Sequence, residues 1–366
     1  MKKWLAGLFG FLVVALAVAQ ILAREKTSAG GGSHEALFWE KAEGGKVKCL
    51  LCPRLCVLPE GQFGVCRARK NVGGVLKSMV YGQVVSANVD PIEKKPFYHV
   101  LPGTKAFSIA TTGCNLRCLF CQNWQISQVF PHDLSSTPMT PDAVVGAAVK
   151  SGSRSIAFTY NEPVIFYEYM LDVAQLARKQ GLKTVVVSSG YINPEPLRKL
   201  LKHIDAFKVD FKGYDEEFYL QVVGGTLDPV LESMKVIRQE GVWLEVVNLM
   251  VPGKNDSEKQ IRELVRWVRR NLGDETPLQF SRFYPIYKLQ NLPPTPEETL
   301  LKARQMARQE GLKYVYTGNI ADREGATTYA PKSGEAVIER QGYFVTANRL
   351  NKGVTPGGER IPGIWE

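Results

Sequence analysis

From Ala106 onward the chain alternates short apolar, β-rich runs with amphipathic stretches of helical period, and that alternation most limits what it can fold into. The runs lie at 106–112, 155–160, 184–189, 206–211, 243–251, 278–284 and 314–317. Between them, Phe166, Tyr169, Met170, Val173, Leu176 and Ala177 recur at i, i+3, i+4 and i+7, as do Ile261, Leu264, Val265, Val268 and Leu272. That spacing gathers each set on one face of a helix. Gly181, Gly241, Gly273 and Gly311 stand just past amphipathic runs, where helices end. Strand–helix alternation predicts an α/β chain with a parallel sheet and helical crossovers. At least six such units fit a partial or complete (β/α) barrel of the TIM type, with an open doubly wound sheet as the alternative. In such barrels chemistry sits at the carboxyl ends of the strands.

All seven cysteines fall in the first third of the chain, at 49, 52, 56, 66, 114, 118 and 121. An odd number at these short spacings argues against a disulfide framework and suits metal ligation in a reducing compartment. The run from Phe107 to Thr112 leads directly into Gly113-Cys114-Asn115-Leu116-Arg117-Cys118-Leu119-Phe120-Cys121, a C-x3-C-x2-C spacing. A cubane cluster ordinarily takes four thiolates, so three leave one iron open. An open iron can chelate an amino and a carboxylate group, the pair that S-adenosylmethionine (SAM) offers. Zinc would want a fourth ligand nearby, and only His132 is a weak candidate. The other set, Cys49, Cys52, Cys56 and Cys66 at C-x2-C-x3-C-x9-C, is a complete ligand count for zinc or for a second Fe–S cluster.

The Cys114/Cys118/Cys121 motif, with Phe120 before its third cysteine, is that of the radical SAM superfamily. Asp90-Pro-Ile-Glu-Lys-Lys-Pro-Phe-Tyr-His-Val-Leu-Pro-Gly103 and Cys121-Gln-Asn-Trp124 resemble the branch related to pyruvate formate-lyase activating enzyme, and within it the AmmeMemoRadiSam-system enzymes. The resemblance runs from about Lys48 to the C-terminus. It implies a radical SAM barrel whose [4Fe–4S] cluster reductively cleaves SAM, generating a radical that abstracts hydrogen from a substrate. By similarity to activases, that substrate is expected to be a protein. Two alternatives stay open: modification of a small molecule, and a membrane-anchored Fe–S electron carrier without catalysis. Tyr160-Asn161-Glu162 resembles the Gly-Gly-Glu segment that grips the methionyl ammonium, with the acid kept. Asp210-Phe211-Lys212 resembles an Asp-x-Lys that contacts SAM, and alternation puts Asp210 and Lys212 on one face. Ser188 stands where the activating enzymes carry an aspartate, and a ribose contact is expected of it. Arg282 and Tyr284 are further candidates for the pocket wall. In the tail, Ala330, Ser333, Val354 and Gly357 occupy positions where the family carries cysteines, so a ribbon that has lost its metal ligands is expected there.

These readings divide the chain into a hydrophobic anchor or signal segment (1–27), a Cys-rich segment (28–105), the barrel (106–320) and the tail (321–366). Trp4 to Ala23 is a run of 20 residues without a charge, long enough to span a bilayer. A membrane anchor is therefore expected, with the catalytic part on the cytoplasmic side, where SAM and low-potential electron donors are supplied. The net charge is +10, but the basic residues are scattered, and Arg266-Trp267-Val268-Arg269-Arg270 reads as the solvated face of a helix. No nucleic-acid partner is expected.

Overall fold

The computed structural model describes residues 33–366. The expected anchor and the start of the spacer lie outside those residues. Among the described residues no helix is long and apolar enough to cross a membrane.

Each apolar run becomes a strand. Ser86–Pro91 (β1) pairs antiparallel with Lys105–Ala110 (β2). Then follow Ser155–Phe158 (β3), Lys183–Ser188 (β4), Ala206–Asp210 (β5), Trp243–Met250 (β6), Leu278–Arg282 (β7) and Val315–Gly318 (β8), all parallel to β2. The strands stand in chain order across one eight-stranded sheet that does not close. The order never reverses as a doubly wound sheet requires, so this is a partial barrel.

The crossovers carry Pro141–Lys150 (α1), Tyr167–Lys179 (α2), Pro194–Leu201 (α3), Asp228–Gln239 (α4), Glu258–Leu272 (α5) and Glu297–Gln309 (α6). Their starts follow local chemistry. Ser257 caps α5, its hydroxyl accepting from the Gln260 N–H at 3.3 Å. Their apolar stripes bury against one sheet face. Tyr169, Met170 and Val173 from α2, and Ile261, Leu264, Val265 and Val268 from α5, join Phe107, Ile156, Phe158, Phe207, Val246 and Phe280 in one core.

The strands alternate, so the residues between point to the concave face. At its amino end that face is plugged: Ile92, Phe97, Val100 and Leu101 pack on Ala106, Ala157, Val185 and Ala206. The plug also carries polar anchors. The Glu245 carboxylate accepts the N–H groups of Tyr98 and His99, each at 2.9 Å, and pairs with buried Lys208 at 3.3 Å. His99 bridges the Pro362 carbonyl at 2.7 Å and the Tyr316 hydroxyl at 2.6 Å. A carbonyl can only accept, so Nδ1 carries the proton and Nε2 accepts from Tyr316.

The tail folds as a small antiparallel sheet of Thr328–Tyr329, Ala336–Gln341 and Phe344–Asn348. Ala330, where the resemblance implies a cysteine in relatives, is buried in an apolar cluster with Tyr98, Tyr316, Val337 and Ile361, and this packing holds the sheet.

Candidate active site

Past β2 the chain turns sharply. Gly113 takes φ +99, and a Cβ there would meet the Cys66 carbonyl oxygen at 2.4 Å, so only glycine fits. The Cys114 N–H then donates to that same oxygen at 3.2 Å. The cysteine loop is held from three more sides. The Arg117 and Leu119 N–H groups donate to Val223 and Val222 of a π-type turn, Tyr219–Val223, at 3.0 and 2.9 Å. Asn115, fully buried, donates to the Tyr191 carbonyl at 2.8 Å. Asn161 reaches across from the end of β3 and donates to the carbonyls of Thr111 and Gly113 at 2.7 and 2.8 Å.

Cys114, Cys118 and Cys121 lie on the wall of a cavity of about 1200 Å³ above the carboxyl ends of the strands. Phe120, Asn161, Glu162, Asp210, Lys212, Arg282 and Tyr284 line the same cavity, so the structure brings these expected residues together. Burial pushes the Cys118 thiol up to about 12, with Lys212 acting against it. Burial and the Glu162 carboxylate raise Cys114 likewise. A metal centre held by these thiols would have to displace their protons.

Glu162 is buried, and burial raises its pKa despite four donors. Oε1 accepts from Ser188 Oγ at 2.5 Å and from Val164 N at 3.2 Å; Oε2 accepts from the N–H and hydroxyl of Ser189 at 2.9 and 2.6 Å. It thus caps the following turn and faces the cavity at once. Ser188 itself does not line the cavity, contrary to expectation. Val185 and Val187 of β4 face the concave side, so alternation turns Ser188 to the helix side, behind Glu162. Ser189 is the residue that faces the cavity.

Lys212 Nζ lies 2.9 Å from Asp210 Oδ2 and 5.9 Å from the Phe120 ring. Burial opposes its charge, but Asp210 and Cys118 outweigh burial and hold its pKa above the ordinary lysine value. Asn248, from the helix side of β6, fixes this turn by donating to the carbonyls of Phe211 and Lys212 at 2.8 and 3.1 Å. Tyr160 has φ +70, a conformation glycine fills easily and tyrosine rarely, at the position resembling a family glycine. Its hydroxyl donates to Asp90 at 2.5 Å, and Lys95 Nζ sits 4.1 Å from its ring, which holds the backbone there.

Sequence reading missed much of the outer wall: Glu93, Lys95, Gln279, Ser281 and, from the tail, Arg340 and Tyr343. Strand parity would have found Gln279 and Ser281. No local signal marks Arg340, which is fully buried and donates to the Tyr98 carbonyl at 2.7 Å across the fold.

Cys49, Cys52, Cys56 and Cys66 line a second, small cavity on the other side of the cysteine loop. Among the described residues no three His, Cys, Asp or Glu side chains are gathered to hold a single metal ion, at this set or at Cys114/Cys118/Cys121. The donor chemistry of the large cavity suits a cluster with SAM. Three thiols share its wall, Lys212 and Glu162 offer a cation and an anion, and Asn161 Oδ1 and Arg282 Nε are buried there without protein partners.

An open parallel (β/α) sheet with a three-cysteine loop past its first parallel strand, facing a large cavity, is the architecture of an enzyme that does its chemistry at an iron–sulfur centre. The family model described as Radical SAM superfamily matches residues 108–268, and the chain belongs to that superfamily. It is an enzyme of the radical SAM class. It is 47% identical over 318 residues to an uncharacterized protein of Methanocaldococcus jannaschii, covering 87% of this chain and 94% of the relative. It is 23% identical to the pyruvate formate-lyase 1-activating enzyme of Escherichia coli K12, over 56% of this chain and 89% of that one. A radical SAM methyltransferase from Sphaerobacter thermophilus superposes with a TM-score of 0.49 at 14% identity, over 66% of this chain and 72% of that one.

Proposed function

We propose that this chain is an activase-like radical SAM enzyme that acts on a protein, of the AmmeMemoRadiSam type its sequence resembles. Cys114, Cys118 and Cys121 would hold a [4Fe–4S] cluster, with SAM beside it in the large cavity. When bound, cluster and SAM together supply reductive cleavage of the sulfonium C–S bond to a 5′-deoxyadenosyl radical, which takes hydrogen from the substrate. The chain's own residues bind and orient. Lys212, kept charged by Asp210, meets the SAM carboxylate. Glu162 accepts from the SAM ammonium, with Ser188 and Ser189 fixing its carboxylate. Phe120, nearly buried, covers the Lys212 side of the site and helps exclude water.

The observation that carries the protein-substrate reading is the cavity itself. About 1200 Å³ exceeds the usual 300–1000 Å³ of a small-molecule pocket, which leaves room for a second body beside SAM. Tyr284 and Tyr343 line it and are 44% and 45% exposed, the kind of aromatic surface that protein interfaces use. The pyruvate formate-lyase activating enzymes among its relatives point the same way, since pyruvate formate-lyase is itself a protein. A low-potential donor would supply the electron.

The test is anaerobic reconstitution followed by assay of 5′-deoxyadenosine with dithionite and SAM. The intact chain should form it and Cys118→Ala should not. Cleavage should then rise with the macromolecular fraction of a cell extract. Stimulation by the small-molecule filtrate alone would overturn the protein-substrate reading.

A further inference from the structure

The four cysteines of the N-terminal segment lie outside the SAM-cleaving site. We infer that Cys49, Cys52, Cys56 and Cys66 hold a second [4Fe–4S] cluster. All four line one small cavity, whose other walls include Leu51, Leu58, Val164 and Ile165. Cys49, Cys52 and Cys56 come from one hairpin, where the Cys49 N–H donates to the Cys56 carbonyl at 2.9 Å, and Cys66 comes from the turn before the strand Arg69–Val72. Gly64 leaves space on their side, for a Cβ there would stand 3.7 Å from both the Cys56 and Cys66 sulfurs. Arg69, 1% exposed, brings Nη1 to 3.6 Å from Cys49 Sγ. Its Nη2 pairs with the buried Glu168 carboxylate, which leaves Nη1 as a hydrogen-bond donor to that sulfur.

Spacing separates a cluster from a single ion. A tetrahedral zinc with bonds of about 2.3 Å draws its thiolates to roughly 3.8 Å from one another. No three of these cysteines are gathered that way, although four face one cavity. A cubane takes one thiolate on each of its irons and so wants them further apart. Cys114, Cys118 and Cys121, the expected ligands of the first cluster, are likewise not gathered round a single ion. The pairs also differ from a zinc ribbon, which brings two close Cys pairs together: Cys56 and Cys66 are ten positions apart.

The site has a use. The Cys66 carbonyl accepts from the Cys114 N–H at 3.2 Å, which joins the two ligand sets through one hydrogen bond. On the outer side Cys56 is half-buried, between Leu55 and Val57, which are 44% and 51% exposed. One electron enters here from a low-potential one-electron donor protein and one electron leaves to the cluster at Cys114, with no bond or proton exchanged. The relay rests on the SAM-cleaving reading above, whereas the site does not.

The test uses the full chain, reconstituted anaerobically with iron and sulfide in the presence of zinc. Iron and zinc are counted, and the dithionite-reduced EPR spectrum is recorded, for three proteins. These are the wild type, the triple variant Cys114→Ser/Cys118→Ser/Cys121→Ser, and Cys52→Ser/Cys66→Ser. The wild type should hold about eight irons and no zinc. The triple variant should keep about four, with a reduced-cluster signal that SAM leaves unchanged. About four irons plus a zinc in the wild type, or a folded triple variant without iron, overturns the proposal. If a variant does not fold, the wild-type count still decides. Failure of the SAM-cleaving reading looks different: about eight irons and no 5′-deoxyadenosine.

Discussion

The Lys212 ammonium stands 2.9 Å from the Asp210 carboxylate, both on the wall that carries Cys118. A strand that alternates faces delivers two side chains two residues apart to one side, so the pair forms without help from elsewhere. Under the reading proposed above, the SAM carboxylate would meet this ammonium. Lys212→Ala should therefore weaken SAM binding roughly 10- to 100-fold, the size of a lost charge-assisted hydrogen bond. The cluster's absorption and EPR spectra without SAM should stay as they are. Equilibrium SAM binding to the reconstituted variant measures this, and unchanged affinity would remove Lys212 from the site.

Asn161 acts on the loop. Its side-chain amide holds the carbonyls of Thr111 and Gly113, either side of the turn into Cys114. Asn161→Ala leaves both without that donor, at about 1–3 kcal/mol of loop stability. The expected result is faster iron loss to a chelator than from the wild type. A variant that retains iron like the wild type refutes the assignment.

Gly113→Ala is the harsher probe. The added methyl meets the Cys66 carbonyl at 2.4 Å, and the φ of +99 is strained for alanine. The loop must move away from Cys66, so iron retention at Cys114/Cys118/Cys121 should fall and so should thermal stability. Wild-type values for both would show that the close approach of the two cysteine sets is not needed.

His99 predicts an acid limb of stability. Burial depresses its pKa from 6.5 to about 4. The unfolded chain then takes up a proton near pH 6.5 that the folded chain refuses. The neutral-histidine contribution is fully present above pH 6.5 and is lost as pH falls toward 4, by about 1.4 kcal/mol per pH unit between those limits. Urea unfolding at pH 7.5 and 5.5 should show the loss, and His99→Gln should flatten it. An equal slope in the variant would place the proton uptake on another group.

Much of this molecule was legible from local pattern. All seven apolar runs from 106–112 to 314–317 are strands of one sheet, because period-2 and period-3.6 patterns are set by neighbours along the chain. Asp210 with Lys212, and Asn161 and Glu162 at the end of β3, fell on the cavity for the same reason. Ser188, whose chemistry was read from likeness, does not line the cavity, because strand parity, visible in Val185 and Val187, turns it to the helix side and leaves Ser189 on the wall.

Residue order by itself determined the strand–helix alternation, the two cysteine groups and the residues at strand ends. Each depends on spacing over a few positions, and spacing is written in the chain. Tertiary structure decided that the sheet stays open and that the amino end is plugged by Phe97 and Leu101. It also decided that Arg340 and Tyr343 of the tail reach the same cavity as Cys114, and that Cys66 lies against Cys114. Those relations join segments tens to hundreds of residues apart. They are fixed by which faces bury together and where buried polar groups find partners, and neither is set by any short stretch of sequence.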